Sequence, residues 1–140
     1  MIVLDTDHMS LLEWGSAEAA PLRERLADCE EGEVATTIIN YEEQMRGWMA
    51  YLAGARSLAK QMDAYHRLRS HLENYRHIPV LDFDEAAARI YEELRRSRIR
   101  IGTMGLKIAA IVISLDATLL SRNNRDFAKV PSLKFEDWTV

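Results

Sequence analysis

The sequence predicts an α/β domain with helices on both faces of a central, mostly parallel sheet of about five strands, a three-layer α/β/α sandwich. Two observations carry this. Short apolar or β-branched runs alternate along the chain with longer segments of helical periodicity, the pattern of parallel strands joined by crossover helices. The segment Leu106–Leu115 is apolar nearly all round, as expected of a helix buried deeply in such a sandwich. No internal repeat, low-complexity tract or linker interrupts the pattern, and the length suits one compact domain, residues 1–140.

Ile2-Val3-Leu4 is a short apolar run that ends in an acid and reads as a buried first strand. Asp7 is placed to cap a following helix around Ser10–Trp14. Ser16–Cys29 carries Leu22 and Leu26 at i, i+4 spacing with charges between them. Val34–Ile39 is β-branched and reads as the second strand. Asn40 then stands as an N-cap, with Glu43 three residues on, and Tyr41, Met45, Trp48, Met49 and Leu52 fall on one stripe of the next helix. Gly54 breaks it. Ser57 caps a long helix bearing Leu58, Met62, Tyr65, Leu68, Leu72 and Tyr75. Ile78–Leu81 reads as the third strand despite Pro79. Asp84 caps a helix with Ala87, Ile90, Tyr91 and Leu94 on one stripe. Thr118–Leu120 is the fourth strand, and Leu133–Phe135 a fifth at the edge.

Composition narrows the function. Nearly half the residues are apolar, no apolar run reaches the ~18 residues that span a bilayer, and the first acid comes too early for a signal peptide. Cys29 is the only cysteine, so no intramolecular disulfide forms. These features lead to the expectation of a soluble cytoplasmic protein that does not bind membranes. The net charge of −4 argues against broad polyanion binding but permits a local basic patch, or a cation bridging acids to phosphate.

In an open parallel sheet, sites form beyond the carboxyl ends of the strands. Three acids fall there: Asp5 after the first strand, Glu43 one turn into the helix after the second, and Asp126 just past the fourth. Carboxylates gathered in one crevice repel, and a hard divalent cation such as Mg²⁺ or Mn²⁺ relieves the repulsion, binding a phosphate oxygen and acidifying a coordinated water. Each acid also has a plainer role. Glu43 can complete a capping box with Asn40, and Asp126 can be a turn residue in an Asn-rich loop. Asp5 is harder to dismiss, because an acid directly after a buried strand needs a partner.

Among the cations, Arg122 and Arg125 flank the acids and suit phosphate contact, with Lys107 a weaker candidate. Arg95, Arg96, Arg98 and Arg100 read as a solvated helix end. His8 reads as surface, and Trp14, Trp48 and Trp138 as core or interface anchors rather than base-stacking platforms.

Four blocks, in order and at consistent spacing, resemble the PIN-domain family, specifically the VapC-like toxins of bacterial toxin–antitoxin pairs. They are Ile2-Val3-Leu4-Asp5-Thr6-Asp7; Thr36-Thr37-Ile38-Ile39-Asn40-Tyr41-Glu42-Glu43 with Arg46-Gly47; Ile101-Gly102-Thr103-Met104-Gly105-Leu106-Lys107-Ile108-Ala109-Ala110, the most specific; and Ala117–Asn123 with Arg125-Asp126-Phe127, Val130-Pro131 and Leu133. The resemblance covers nearly the whole chain. It implies a metal-dependent endoribonuclease, with Asp5, Glu43 and Asp126 holding one or two Mg²⁺ or Mn²⁺ ions. Thr6, Ser121 and Asn123 would support the site, and Ser121 would orient an acid or a water. Products with a 5′-phosphate and a 3′-hydroxyl, a homodimer, and a cognate antitoxin that inserts a segment into the groove are implied as well.

One position departs from the pattern. The family's third acid stands directly before the Leu-x-Ile-Ala-Ala run, where this chain has Gly105. Whether a natural degeneracy or an inactivating substitution, the change removes one carboxylate and implies weaker metal binding and low activity. Two alternatives follow: a catalytically inactive module that binds RNA or antitoxin, and a haloacid-dehalogenase-type phosphatase using the Asp5-Thr6-Asp7 spacing. His8-Met9 and the short chain fit the phosphatase poorly.

Overall fold

The computed structural model describes residues 1–140. Five parallel strands, β1 (Ile2–Leu4), β2 (Val34–Thr37), β3 (Val80–Leu81), β4 (Thr118–Leu120) and β5 (Lys134–Glu136), lie in the order β3-β2-β1-β4-β5. In register, Val3 faces Ala35 on one side and Leu119 on the other, and Leu119 in turn faces Phe135. The connections run outward from β1 to β2 and β3, then cross to β4 and β5. The order therefore reverses between β1 and β4, the place where parallel sheets open a ligand crevice.

Seven helices fill the connections: α1 (Thr6–Trp14), α2 (Ala20–Ala27), α3 (Ile38–Gly54), α4 (Leu58–Arg76), α5 (Glu85–Arg96), α6 (Thr103–Ser114) and the single turn α7 (Asn124–Phe127). Alternate residues of each strand point to opposite faces. Val3 and Leu119 join α5 and α6 in one core with Ile108, Ile111 and Leu106, whereas Leu4 and Leu120 join Met9, Leu22 and Tyr75 in a second. The expected burial holds for Leu106 and Ile108–Val112, whereas Ile113 and Ser114 are half-buried and Leu115, at the helix end, is 45% exposed. No helix is long and apolar enough to cross a membrane.

Several boundaries differ from the sequence reading. The second strand stops at Thr37 rather than Ile39, and Thr37, not Asn40, caps α3: its hydroxyl oxygen accepts from the Asn40 N–H. The capping box of Asn40 with Glu43 therefore does not form, which releases the Glu43 side chain from the helix end. The cap of α1 is Asp5, accepting from the His8 N–H at 3.0 Å, and Asp7 lies in the first turn instead. A cap residue must keep extended backbone, and Asp5, the last residue on the strand's path, already has it. The third strand keeps only Val80 and Leu81, with Pro79 outside it lending its carbonyl to the Thr36 N–H. Ser57 and Asp84 cap α4 and α5 as expected.

The stripe assigned to α4 is divided. Tyr75 is buried and Leu68 half-buried, but Leu58 and Met62 are 76% and 72% exposed, with Tyr65 and Leu72 beside them on the outer face. Met49 and Tyr51 of α3 are exposed as well. Trp138 is buried, Trp48 half-buried and Trp14 on the surface.

Candidate active site

A cavity of about 410 Å³ opens at the switch point and is lined by Asp5, Asp7, Glu43 and Asp126 together with Thr6, Asn40, Asn123 and the start of α6, Gly102–Gly105. Its position follows from the topology: β1 delivers Asp5, β2 and the first turns of α3 deliver Asn40 and Glu43, and β4 with α7 delivers Asn123 and Asp126. A larger cavity, about 760 Å³, lies against α1, α2 and the segment leading into β3. Its walls include Leu4, Met9, Leu26, Val34 and Ile78, with the neighbouring Glu30 and Glu31 as its acids, whereas Asp5, Asp7, Glu43 and Asp126 gather from distant parts of the chain around the smaller cavity, which is therefore the chemical candidate.

Hydrogen bonds aim Glu43, Asp126 and Asp5. The Thr37 hydroxyl donates to the Asn40 side-chain carbonyl (2.7 Å), the Asn40 amide donates to the Thr6 hydroxyl oxygen (3.0 Å), and the Thr6 hydroxyl donates to Glu43 Oε1 (2.9 Å). Thr37 and Asn40 are fully buried, so this relay is held rigidly. Ser121, also buried, accepts from the Asn123 N–H at 3.0 Å. Asn123 in turn donates from its amide to Asp126 Oδ2 (3.0 Å) and accepts from the Asp126 N–H (3.2 Å). Ser121 thus acts on the acid through the turn that carries it. Asp5 Oδ1 takes two donors from one residue, the His8 backbone N–H and the His8 ring Nδ1, both at 3.0 Å.

The carboxylates share the cavity without closing to liganding distance: no three His, Cys, Asp or Glu side chains stand close enough together to hold a metal ion. The electrostatics are repulsive. Burial, then the charges of Asp5, Asp7 and Glu42, push the Glu43 carboxyl above its ordinary range, against the lowering effect of the Thr6 hydrogen bond. Partial desolvation and the Asp5 charge likewise raise Asp7, at the rim, while Arg122 and His8 pull it down. The donors are all hard oxygens, which fit Mg²⁺ or Mn²⁺, and the mutual repulsion is the state a cation relieves.

Gly105, the position where the resemblance implies a further acid, also lines the cavity. A Cβ built there would sit 3.4 Å from the Ile101 side chain and 3.9 Å from Phe127, ordinary contacts, so the backbone leaves room for an acid. Gly102 caps α6 without a side-chain bond, and the unadorned amino end of that helix lines the cavity.

Of the residues singled out from the sequence, Asp5, Thr6, Glu43, Asn123 and Asp126 line the cavity, and Ser121 lies buried behind Asn123. Asn40 and Thr37 are not among them as supports of the site, though a Thr three residues before an Asn is a cap signal. His8, read as surface, is completely buried. Arg122 is close enough to act on Asp7 and Asp137, but neither it nor Arg125 lines the cavity, and both are exposed. Lys107 turns away, its ammonium lying 5.7 and 5.8 Å from the ring centres of Phe83 and Tyr91. Arg95, Arg96, Arg98 and Arg100 are solvated, as expected.

The raised Glu43 carboxyl has a measurable consequence. The folded protein holds this proton to higher pH than the unfolded chain does, so its stabilising contribution is full below the ordinary value of 4.5 and is lost as pH rises through the folded value. In EDTA, Glu43→Gln should therefore melt progressively higher than the parent as pH is raised from about 4 to about 7. A gap in melting temperature that stays constant across that range would remove the repulsive cluster.

No curated protein matches the chain. Among solved structures, it is similar to VapBC2 from Rickettsia felis bound to a DNA fragment from their promoter (TM-score 0.74, 24% identity, covering 99% of each chain). It is also similar to VapBC-1 from nontypeable Haemophilus influenzae (TM-score 0.76, 23% identity, 100% of each chain) and to DNA-bound VapBC from Salmonella typhimurium (TM-score 0.72, 22% identity, 98% of this chain and 97% of that one). At these identities the likeness establishes the fold. The family is given by a sequence model: the PIN domain model matches residues 2–133, and this chain belongs to the PIN-domain family.

Proposed function

We propose that residues 1–140 form one cytoplasmic domain, a Mg²⁺- or Mn²⁺-dependent endoribonuclease toxin of a toxin–antitoxin pair, impaired as it stands by glycine at position 105. The observation that carries this reading is the single cavity at the β1/β4 switch point, where Asp5, Glu43 and Asp126 arrive from three distant parts of the chain. Asp5, Glu43 and Asp126 would hold the cation, which when bound supplies an activated water and neutralises charge on the phosphate. The protein's own part is positional: the Thr37–Asn40–Thr6 relay fixes Glu43, Asn123 fixes Asp126, and the amino end of α6 presents a positive dipole end to an RNA phosphate. Arg122 and Arg125, exposed at the rim, would contact the backbone on either side. Cleavage of this type leaves a 5′-phosphate and a 3′-hydroxyl.

The missing acid favours a second reading, a PIN module that binds RNA or antitoxin without cutting. Restoring the acid separates the two. If Gly105→Asp cleaves RNA with Mn²⁺ and the additional change Asp5→Asn abolishes the cleavage, the scaffold is a nuclease. If the restored protein binds antitoxin and never cuts, the binding module is correct. The dehalogenase-type alternative finds no support, since the family is PIN.

A homodimer and an antitoxin partner belong to the same reading, and the solved VapBC complexes of similar fold support the antitoxin. The outer stripe of α4, Leu58, Met62, Tyr65 and Leu72, is the surface such partners would cover. Met62→Glu with Tyr65→Glu should convert a dimer to monomer in light scattering, or abolish antitoxin capture. Exposed substitutions of this kind typically change stability by no more than about 0.5 kcal/mol each, so the melting temperature should hold. Unchanged assembly and unchanged capture would exclude this face.

A further inference from the structure

We infer that His8 is the positioning residue of the acid cluster: it fixes the Asp5 carboxylate and takes its own orientation from the segment following β5. The inference rests on the metal-binding reading of Asp5. His8 is fully buried, and both ring nitrogens are engaged. The Trp138 backbone N–H donates to Nε2 at 3.4 Å. Asp137 Oδ1 stands 3.9 Å from Nε2, beyond hydrogen-bonding distance, so the Trp138 N–H is the partner of that nitrogen; the inferred tautomer carries its proton on Nδ1 and donates it to Asp5 Oδ1 at 3.0 Å. The His8 backbone N–H reaches the same oxygen. With Oδ1 doubly occupied, Oδ2 is left for a ligand in the cavity.

The far end of the arrangement is anchored. Trp138 is buried in the core cluster that holds Leu4, Met9, Leu22 and Leu120, with the Arg25 guanidinium 4.3 Å from its ring centre. Asp137 is occupied by the Thr139 N–H (2.8 Å) and hydroxyl (2.5 Å), which tightens the turn that presents the Trp138 N–H. A contact spanning 130 residues thereby orients His8, and His8 in turn holds Asp5, which lines the site. Groups hydrogen-bonded behind a metal ligand act this way generally, by fixing the ligand's orientation before the ion arrives.

The test has two parts. In the full, metal-free chain, nitrogen-15 NMR should show His8 protonated at Nδ1 and bare at Nε2; a proton on Nε2 would overturn the inference. Mn²⁺ affinity is then measured by electron paramagnetic resonance in the Gly105→Asp chain and in that chain with Asp5→Asn, His8→Leu or His8→Asn, each checked for its melting temperature in EDTA. His8→Leu should weaken binding about 10–100-fold, and His8→Asn, whose amide N–H can replace Nδ1–H, should recover to within about threefold of the parent. Equal losses in the two His8 variants would show packing alone and sink the inference. Binding unaffected by His8→Leu but abolished by Asp5→Asn would also sink it, leaving the acid cluster intact. Binding unaffected by Asp5→Asn, or absent from the Gly105→Asp parent, would end the metal reading and this inference with it.

Discussion

Gly105→Asp should turn a weak Mn²⁺ site into a tight one and bring RNA cleavage with it. The backbone already accepts a side chain there: the glycine has an ordinary helical conformation, and its nearest neighbours would be 3.4 Å and more from a Cβ. Groups that merely support a metal ligand are worth about 10–100-fold in affinity, so a new carboxylate in the cavity should gain at least that. Stability should respond conditionally. Replacing glycine in the first turn of α6 contributes roughly 0.5–1 kcal/mol, and a negative charge at that helix end a further ~0.3–1 kcal/mol. Repulsion from Asp5, Glu43 and Asp126 opposes both, so the melting temperature in EDTA should move little. In Mn²⁺ at about a hundred times the dissociation constant, linkage adds ~2.7 kcal/mol, a rise of roughly 10 °C for a chain of this size. The parent should show much less at the same concentration. A Gly105→Asp protein whose melting temperature ignores Mn²⁺ would remove the proposed role of position 105.

What the sequence made legible, and what it hid, divides along a physical line. Local signals were sufficient for β1 and its trailing acid, for the caps at Ser57 and Asp84, and for the buried α6, because each depends on residues within one or two turns. The start of α3 is hidden from local signals because every residue of Val34–Ile39 except Ala35 is β-branched. Propensity favoured continuing the strand, whereas the Thr37 hydroxyl, by capping the Asn40 N–H, ended it two residues earlier. That two-residue difference matters to the site, because it puts Asn40 in the relay to Glu43 instead of at the helix end. His8 is illegible for another reason: one of its ring partners is the Trp138 N–H, and no local pattern announces a partner so distant in sequence. The α4 stripe has the periodicity of a core face whether a helix packs on its own sheet or on another molecule.

His71→Phe should stabilise the protein, and more so in acid. His71 is completely buried on α4, stacked on Tyr41 (ring centres 5.0 Å apart, planes at 23°) and close against Tyr75 (4.7 Å). No protein group is within hydrogen-bonding reach of either of its nitrogens. A buried polar group without a partner costs about 1–3 kcal/mol, and a phenyl ring keeps the aromatic contacts while removing both nitrogens. The phenyl ring is slightly larger, and strain can offset about 1 kcal/mol, leaving a net gain of roughly 1–2 kcal/mol at neutral pH, a few degrees in melting temperature. The acid dependence follows from burial, which holds the imidazole below its ordinary value of 6.5. The unfolded chain takes up a proton below that value while the folded chain resists, so the stability that His71 permits is present above pH 6.5 and lost as pH falls. Phenylalanine cannot titrate, and the gap between variant and parent should widen below that pH. The same helix anchors α3 from beneath: the Tyr75 hydroxyl donates to Gln44, and Gln44 donates to Ser10 Oγ at 2.7 Å. That network lies next to Glu43 in sequence but outside the acid cavity, so Mn²⁺ affinity in the Gly105→Asp chain should be unaffected by His71→Phe. A variant that melts lower than its parent at neutral pH would show that the imidazole nitrogens are satisfied after all, and that α4 depends on them.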